Sequence, residues 1–269
     1  MPSIRRLKQR RSVSQTVQYA LFAFVALLIA WSANWKVLAS QFVRLDVAAQ
    51  LFPGLLTIAL KNTVIYTLSG FLLGLVLGLV IALMRLSRVL PYRWIAGIYI
   101  EFFRGLPALL IFMFVGVGIP LAFPGTELPG GTYGKVALGL GLVSAAYMAE
   151  TIRAGIQAVP KGQMEAARSL GFSHGRAMLS IILPQAFRII IPPLTNELVL
   201  LFKDSSLVLF LGVTLEEREL TKFGRDLASQ TANTTPIFVA GLCYLVVTIP
   251  LGYVVRRLEA RANASQGRS

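Results

Sequence analysis

The residues best equipped for chemistry lie in one stretch, PPLTNELVLLFKDSSLVLFLGV, residues 192–213. Glu197 and Asp204 are seven positions apart, which puts both carboxylates on one helical face, two turns from each other. Asn196 and Lys203 repeat that spacing on the adjacent stripe. Ser205 and Ser206 interrupt the apolar run just beyond Asp204, and Pro192-Pro193 are expected to break it before. Two acids in an apolar segment suit an ammonium or a cationic side chain, while Lys203 or serine amides suit a carboxylate. These six residues are the candidate pathway for a small zwitterion. A plainer reading stays open, in which Lys203 and Asp204 pair with each other and cap the segment. No nucleophile, acid–base or metal-ligand cluster accompanies them, so neither an enzyme nor a metal site is expected.

The elements that must position these groups are apolar. The chain of 269 residues is 55% hydrophobic and only 14% charged, against about a quarter charged for a soluble domain. A net charge of +14 would fit nucleic acid, yet the basic residues sit at the ends of apolar runs without interleaved aromatics. About 20 apolar residues cross a bilayer core. Six stretches qualify or nearly so, approximately 18–35, 55–84, 95–122, 134–158, 178–202 and 236–255. A further apolar piece, 205–213, is too short to cross. The first stretch follows Arg5, Arg6, Lys8, Arg10 and Arg11, a pattern shared with secretory signals. Without a clear small-residue cleavage site, and with Trp31 and Trp35 at its far end, it reads as a retained anchor.

Placing the N-terminus in the cytoplasm puts eighteen Lys and Arg residues on inner segments and eight on outer ones. The positive-inside rule favours that orientation, with both termini cytoplasmic. The single cysteine, Cys243, lies within an apolar run and cannot form an intrachain disulfide. Gly70, Gly74 and Gly78 recur every fourth position on the second stretch, a pattern that lets another helix approach closely.

Residues 162–185, GQMEAARSLGFSHGRAMLSIILPQ, then face the cytoplasm as a turn-rich helix too polar to span and too short to lie on lipid. Pro160 and Gly162 open it, while Gly171 and Gly175 close it. Ala166, Ala167 and Leu170 form a small apolar face beside Glu165. Such a helix suits a groove in another protein, or serves simply as a connector.

The spacing Glu165-Ala166-Ala167, three residues, Gly171, nine residues, Ile181, one residue, Leu183-Pro184 resembles the EAA loop of bacterial ATP-binding-cassette importer permeases. FFRGLPALLIF (102–112), AAYMAETIRAGIQAVPKGQMEAARSLGFS (145–173), ILPQAFRIIIPPLTNELVLLFKDSSL (182–207) and LFPGLLTIALKNTVIYTLSG (51–70) resemble the polar amino-acid subfamily. The resemblance implies an all-α membrane protein of the type I importer fold, with about six transmembrane helices and a short cytoplasmic coupling helix. It also implies a second permease subunit, a cytoplasmic ATPase dimer and an extracytoplasmic solute-binding protein. Glu165, Ala166, Ala167, Leu170 and Gly171 would couple to the ATPase. Positions matching Glu197 and Asp204 bear on solute recognition in members with a membrane site. The expected solute is glutamine or glutamate, a cationic amino acid, or cystine.

The chain has no G-x-x-x-x-G-K-[ST] loop, so no cofactor is expected on it, with ATP and magnesium held by the partner ATPase. A stand-alone secondary transporter or channel is the alternative, though no internal repeat favours it. We expect one transmembrane domain. Residues 1–50 form a basic segment, extra helix and outer loop, 51–257 the permease core, and 258–269 a cytoplasmic tail. Glu101 with Arg104, and Glu150 with Arg153, have the spacing of local ion pairs. Residues 215–230, LEERELTKFGRDLASQ, form an amphipathic outer segment that meets a binding protein or caps the bundle. His174, the only histidine, reads as a surface residue.

Overall fold

The computed structural model describes residues 4–125 and 128–266, with side chains described from 15 to 125 and from 128 to 262. The basic cluster Arg5–Arg11 and Arg268 therefore lie outside the described side chains. Two compact units emerge, Met1–Leu45 and Asp46–Ser269. In the first, helix α1 (Ile4–Ser32) ends where Trp35 Nε1 donates to the Ala30 carbonyl. Asn34 then caps α2 (Trp35–Phe42) by accepting from the Val37 amide. Leu21, Phe22, Phe24, Leu27 and Trp31 are exposed around α1, the all-round apolar surface a single span requires.

The first long helix of the second unit is α3 (Leu55–Leu86), which opens with a π-helical turn and stops where Ser87 turns extended. After a short turn come α4 (Leu90–Gly105) and α5 (Ala108–Ala122), joined at an elbow of 104°. A straight third stretch was the expectation, and Pro107 is the reason it fails. A proline pushes the preceding residue out of the helical region, and Leu106 is extended at φ −98°, ψ 142°. Helix α6 (Thr132–Gln157) follows a Gly130-Gly131 turn in which both residues have positive φ. Then come the short α7 (Lys161–Ser169), the long α8 (His174–Leu211), the outer α9 (Leu220–Thr231) and the final α10 (Thr235–Gln266). Among the described residues five helices are long and apolar enough to cross a membrane, or six if the bent pair counts as one.

The glycine stripe decides that count. A Cβ on Gly70 would stand 2.5 Å from Leu140 Cβ, and one on Gly78 would stand 2.9 Å from Met148 Cβ. Between them, a Cβ on Gly74 would run into Ser144 Oγ. Residue numbers rise together along this seam, so α3 and α6 lie parallel. Two parallel crossings need a return crossing between them, and α4 with α5 supplies it. The absence of side chains at these glycines brings the two backbones close, which is how dispersion contacts hold helices together where lipid offers no hydrophobic drive.

Helix α8 crosses back against α6, with Gly155 leaving room for Ile190. Its helical part, Leu183–Asp204, runs unbroken through Pro192 and Pro193. The break expected at those prolines is absent; membrane helices tolerate them because local adjustments and neighbours re-satisfy freed carbonyls. The discontinuity falls after Asp204, where the chain tightens into a 3₁₀ turn over Ser205–Leu211 and stops at Gly212 in the left-handed region.

Replacing Gly74 with Leu overpacks the seam against Ser144, at a cost of about 1–3 kcal/mol. We expect a lower melting temperature and poor accumulation in the membrane, while Leu72→Ala, on the exposed face, leaves both near wild type. Equal behaviour of the two variants in a thermal-shift assay would remove the seam from its central place.

Candidate translocation cleft and coupling helix

Glu197 and Asp204 line one cleft of about 240 Å³. Helix α8 contributes both acids with Leu200 and Leu201, and α6 supplies Leu140, Val143 and Tyr147. The elbow closes the third wall with Leu106, Ala108 and Phe112. That volume lies below the usual drug-sized range of roughly 300–1,000 Å³ and suits a small solute. Both carboxylates are half-buried, and neither carries a hydrogen bond or an ion pair to another described residue. Two carboxyl groups in a region of low dielectric, with no salt bridge to either, are costly to keep ionised unless a cation arrives.

The other four pathway candidates sit elsewhere. Asn196 and Lys203 are exposed on a different stripe of α8. Ser205 is buried and its hydroxyl donates to the Phe202 carbonyl, and Ser206 is half-buried outside the cleft. Lys203 and Asp204 are adjacent but make no salt bridge within 4.0 Å. The sequence reading missed Tyr147 and the elbow residues; the signal was Gly105 and Pro107, which mark a bend inside an apolar run. Arg104 lies over the Tyr147 ring, 5.5 Å from its centroid, and the expected Glu101–Arg104 pair is not made. Glu150 and Arg153 do pair, at 2.6 Å, with Gln157 accepting a further bond from the guanidinium.

The short α7 is framed by two punctuating residues. Pro160 precedes it in an extended conformation, ready for a first turn that needs no donor there. Gly171 ends it at φ +84°, with its amide donating to the Arg168 carbonyl and the Phe172 amide to the Ala167 carbonyl. This is the double bond pattern of a glycine C-cap, and a Cβ would strain it. The expected apolar face is divided. Ala167 is only 2% exposed and packs into its own chain, whereas Ala166 and Glu165 are exposed and Leu170 is 78% exposed. Helical geometry explains the split: Ala167 shares its stripe with Met164, which faces the base of α8. His174 is exposed, as expected.

At the other end, loop 214–219 is clasped by the first turns of α3. Asn62 Nδ2 donates to the carbonyls of Glu216 (2.7 Å) and Arg218 (3.1 Å), and Tyr66 Oη donates to that of Glu217. Tyr133 donates in turn to Asn62 Oδ1. Glu219 is fully buried and caps α9, accepting from the Thr221 and Lys222 amides at 2.6 Å each and from Tyr244 Oη at 2.8 Å. Burial pushes its pKa up, against the opposing pull of those amides.

A family model described as "Binding-protein-dependent transport system inner membrane component" matches residues 74–264. The chain belongs to this family. It is similar to the "Probable glutamine ABC transporter permease protein GlnM" of Bacillus subtilis (strain 168), 43% identical over 210 residues covering 77% of this chain and 90% of that protein. It is also similar to that strain's "Arginine transport system permease protein ArtQ", 37% identical over 78% of this chain and 91% of the relative. The "L-cystine transport system permease protein TcyB" of the same strain is 34% identical over 81% and 91% respectively. Among solved structures, an amino acid ABC transporter described "with histidines" superposes with a TM-score of 0.73. Its sequence identity is 34%, over 81% of this chain and 99% of that one.

This permease is therefore a multi-pass inner-membrane transport subunit of the type I importer fold, with ATP hydrolysis on a partner chain. Membership sets aside the stand-alone carrier or channel. It also implies that an ATPase and a solute-binding protein work with the permease.

The buried cap gives a pH signature. A carboxyl whose pKa is raised by folding contributes stability at low pH and loses it as pH rises through the raised value. Hydrogen-exchange protection of residues 214–231 should thus decline as pH climbs out of the ordinary carboxylate range, and Glu219→Gln should flatten the decline. Protection that grows with pH in the native permease would contradict this account.

Proposed function

We propose that this permease carries a polar amino acid across the inner membrane, with the solute's ammonium or cationic group passing between Glu197 and Asp204. The supporting observation is the pair of unpartnered carboxylates on one wall of a cleft sized for a small solute. Each acid gains a counter-ion when the solute enters and loses it when the solute leaves, so the cost of half-burying them is offset only in transit. Relatives named for glutamine, arginine and cystine share an α-ammonium group among their named solutes, and such a group is what this cleft can grip. Asn196, Lys203, Ser205 and Ser206 lie outside the cleft and, in this reading, line other parts of the route or shape the end of α8.

In the same proposal α7 is the coupling helix. Glu165, Ala166 and Leu170 present the docking surface to a cytoplasmic ATPase dimer that holds ATP and magnesium. Ala167 fastens the helix to its own chain and Gly171 stops it. Closure of the ATPase then pushes on the base of α8, the helix that carries both acids, as a rigid-body displacement. A second permease subunit completes the pathway, an extracytoplasmic binding protein delivers the solute, and both termini lie in the cytoplasm. Residues 51–257 carry the core, with 1–50 and 258–269 as additions to it.

The complete transporter in proteoliposomes separates the two halves of the proposal. Glu197→Gln and Asp204→Asn should each lower uptake at least about tenfold, the scale of losing one charge-assisted contact of roughly 1.5–3 kcal/mol. Basal ATP turnover and assembly should stay near wild type. Normal uptake in both variants would falsify the assignment of the cleft.

A second set addresses the lever. Leu170→Asp and Glu165→Lys should abolish solute-driven ATP turnover while the isolated permease remains folded. Ala167→Trp should instead destabilise the permease itself, seen as lost expression. Retained coupled transport in Leu170→Asp and Glu165→Lys would show that the exposed face is not the docking surface.

A further inference from the structure

A second cavity, of about 450 Å³, opens where α3 turns into α4, at the end of the bundle rich in arginine. Arg85 from the last turn of α3 and Arg93 from the first turns of α4 both line it. Arg85 reaches across the turn, its Nη1 donating to the Arg93 carbonyl at 3.2 Å. Gly97 leaves room for that reach, since a Cβ there would stand 3.1 Å from the same nitrogen and press it aside by a few tenths of an ångström. A guanidinium has five N–H donors, so this contact leaves most of them unused. Glu101 also lines the cavity, yet neither arginine forms an ion pair with it or with any other described acid. Two forked cations thus face one space in which Glu101 is the only acid in the lining, and neither is held in a salt bridge by a described residue.

The flank of the same cavity is greasy. Leu90, Trp94 and Ile98 succeed one another at four-residue intervals on α4, and they are 59%, 66% and 66% exposed. Tryptophan at a helix end marks the headgroup level of a membrane. An apolar stripe running away from a pair of guanidiniums matches an amphiphile with an anionic head. Arginine forks fit phosphate oxygens bidentately, and basic pockets between helices on the cytoplasmic side select anionic headgroups.

We propose that this cavity binds one anionic phospholipid of the inner leaflet, with its phosphate held by Arg85 and Arg93 and an acyl chain along Leu90, Trp94 and Ile98. The bound headgroup ties the end of α3 to α4, the helix that leads into the elbow of the cleft. This lipid site is independent of which solute the cleft takes.

The test uses the purified transporter complex, with retained lipid counted by native mass spectrometry and stability followed by thermal shift. Phosphatidylglycerol, phosphatidylcholine of the same chain length and inorganic phosphate are added separately. The wild type should retain and be stabilised by phosphatidylglycerol over phosphatidylcholine. Each arginine should account for roughly fivefold in that preference. Arg85→Gln with Arg93→Gln should abolish it, Arg85→Lys with Arg93→Lys should keep part of it, and Arg88→Gln, which lies outside the cavity, should keep it whole. Inorganic phosphate should not reproduce the stabilisation. Equal retention of the two lipids, equal losses from Arg88→Gln and the Arg85/Arg93 pair, or full stabilisation by phosphate alone would each overturn the proposal.

Discussion

The close approach of α3 to α6 is the constraint from which the architecture follows. In a bilayer two apolar helices gain little by leaving lipid, so contact must come from fit. Gly70, Gly74 and Gly78 supply it by letting Leu140, Ser144 and Met148 sit against bare backbone. The seam fixes a parallel register, the register forces the intervening chain to recross, and the recrossing segment carries the elbow that walls the cleft.

Around that regular seam, helical order is interrupted where function is proposed. Pro107 turns the chain at the cleft, Asp204 ends the α-helical part of α8, and Gly171 stops the coupling helix in a conformation other residues resist. Each interruption is satisfied locally, by an extended residue before proline, a serine hydroxyl or a paired glycine cap. The permease keeps its backbone bonds made while directing a few side chains away from regular stripes.

The spans, the short helix Lys161–Ser169 and the glycine seam were legible because each rests on a local pattern: length of apolar run, proline and glycine punctuation, and a fourfold small-residue period. The shared face of Glu197 and Asp204 was legible for the same reason, since seven residues make two turns. Which residues would stand opposite those acids was not, because Tyr147 and the elbow reach them through tertiary packing. Arg104 shows the limit well. Its i,i+3 spacing from Glu101 favours a pair, yet the bend at Pro107 and the neighbouring α6 offer it the face of Tyr147 instead. The division of Ala166 from Ala167 also needed the position of α8, for a helical wheel cannot tell which of two neighbouring stripes has a partner.

The clasp at the outer end has a consequence for variation. Asn62 and Tyr66 grip the main-chain carbonyls of residues 216, 217 and 218, so the grip follows the path of the loop and is indifferent to which side chains it carries. Side chains of this loop that make no bond of their own to a described residue, as Leu215 and Glu216, can therefore be exchanged while the bracing beneath them stays intact, whereas Glu217, Arg218 and Glu219 are held by their own contacts.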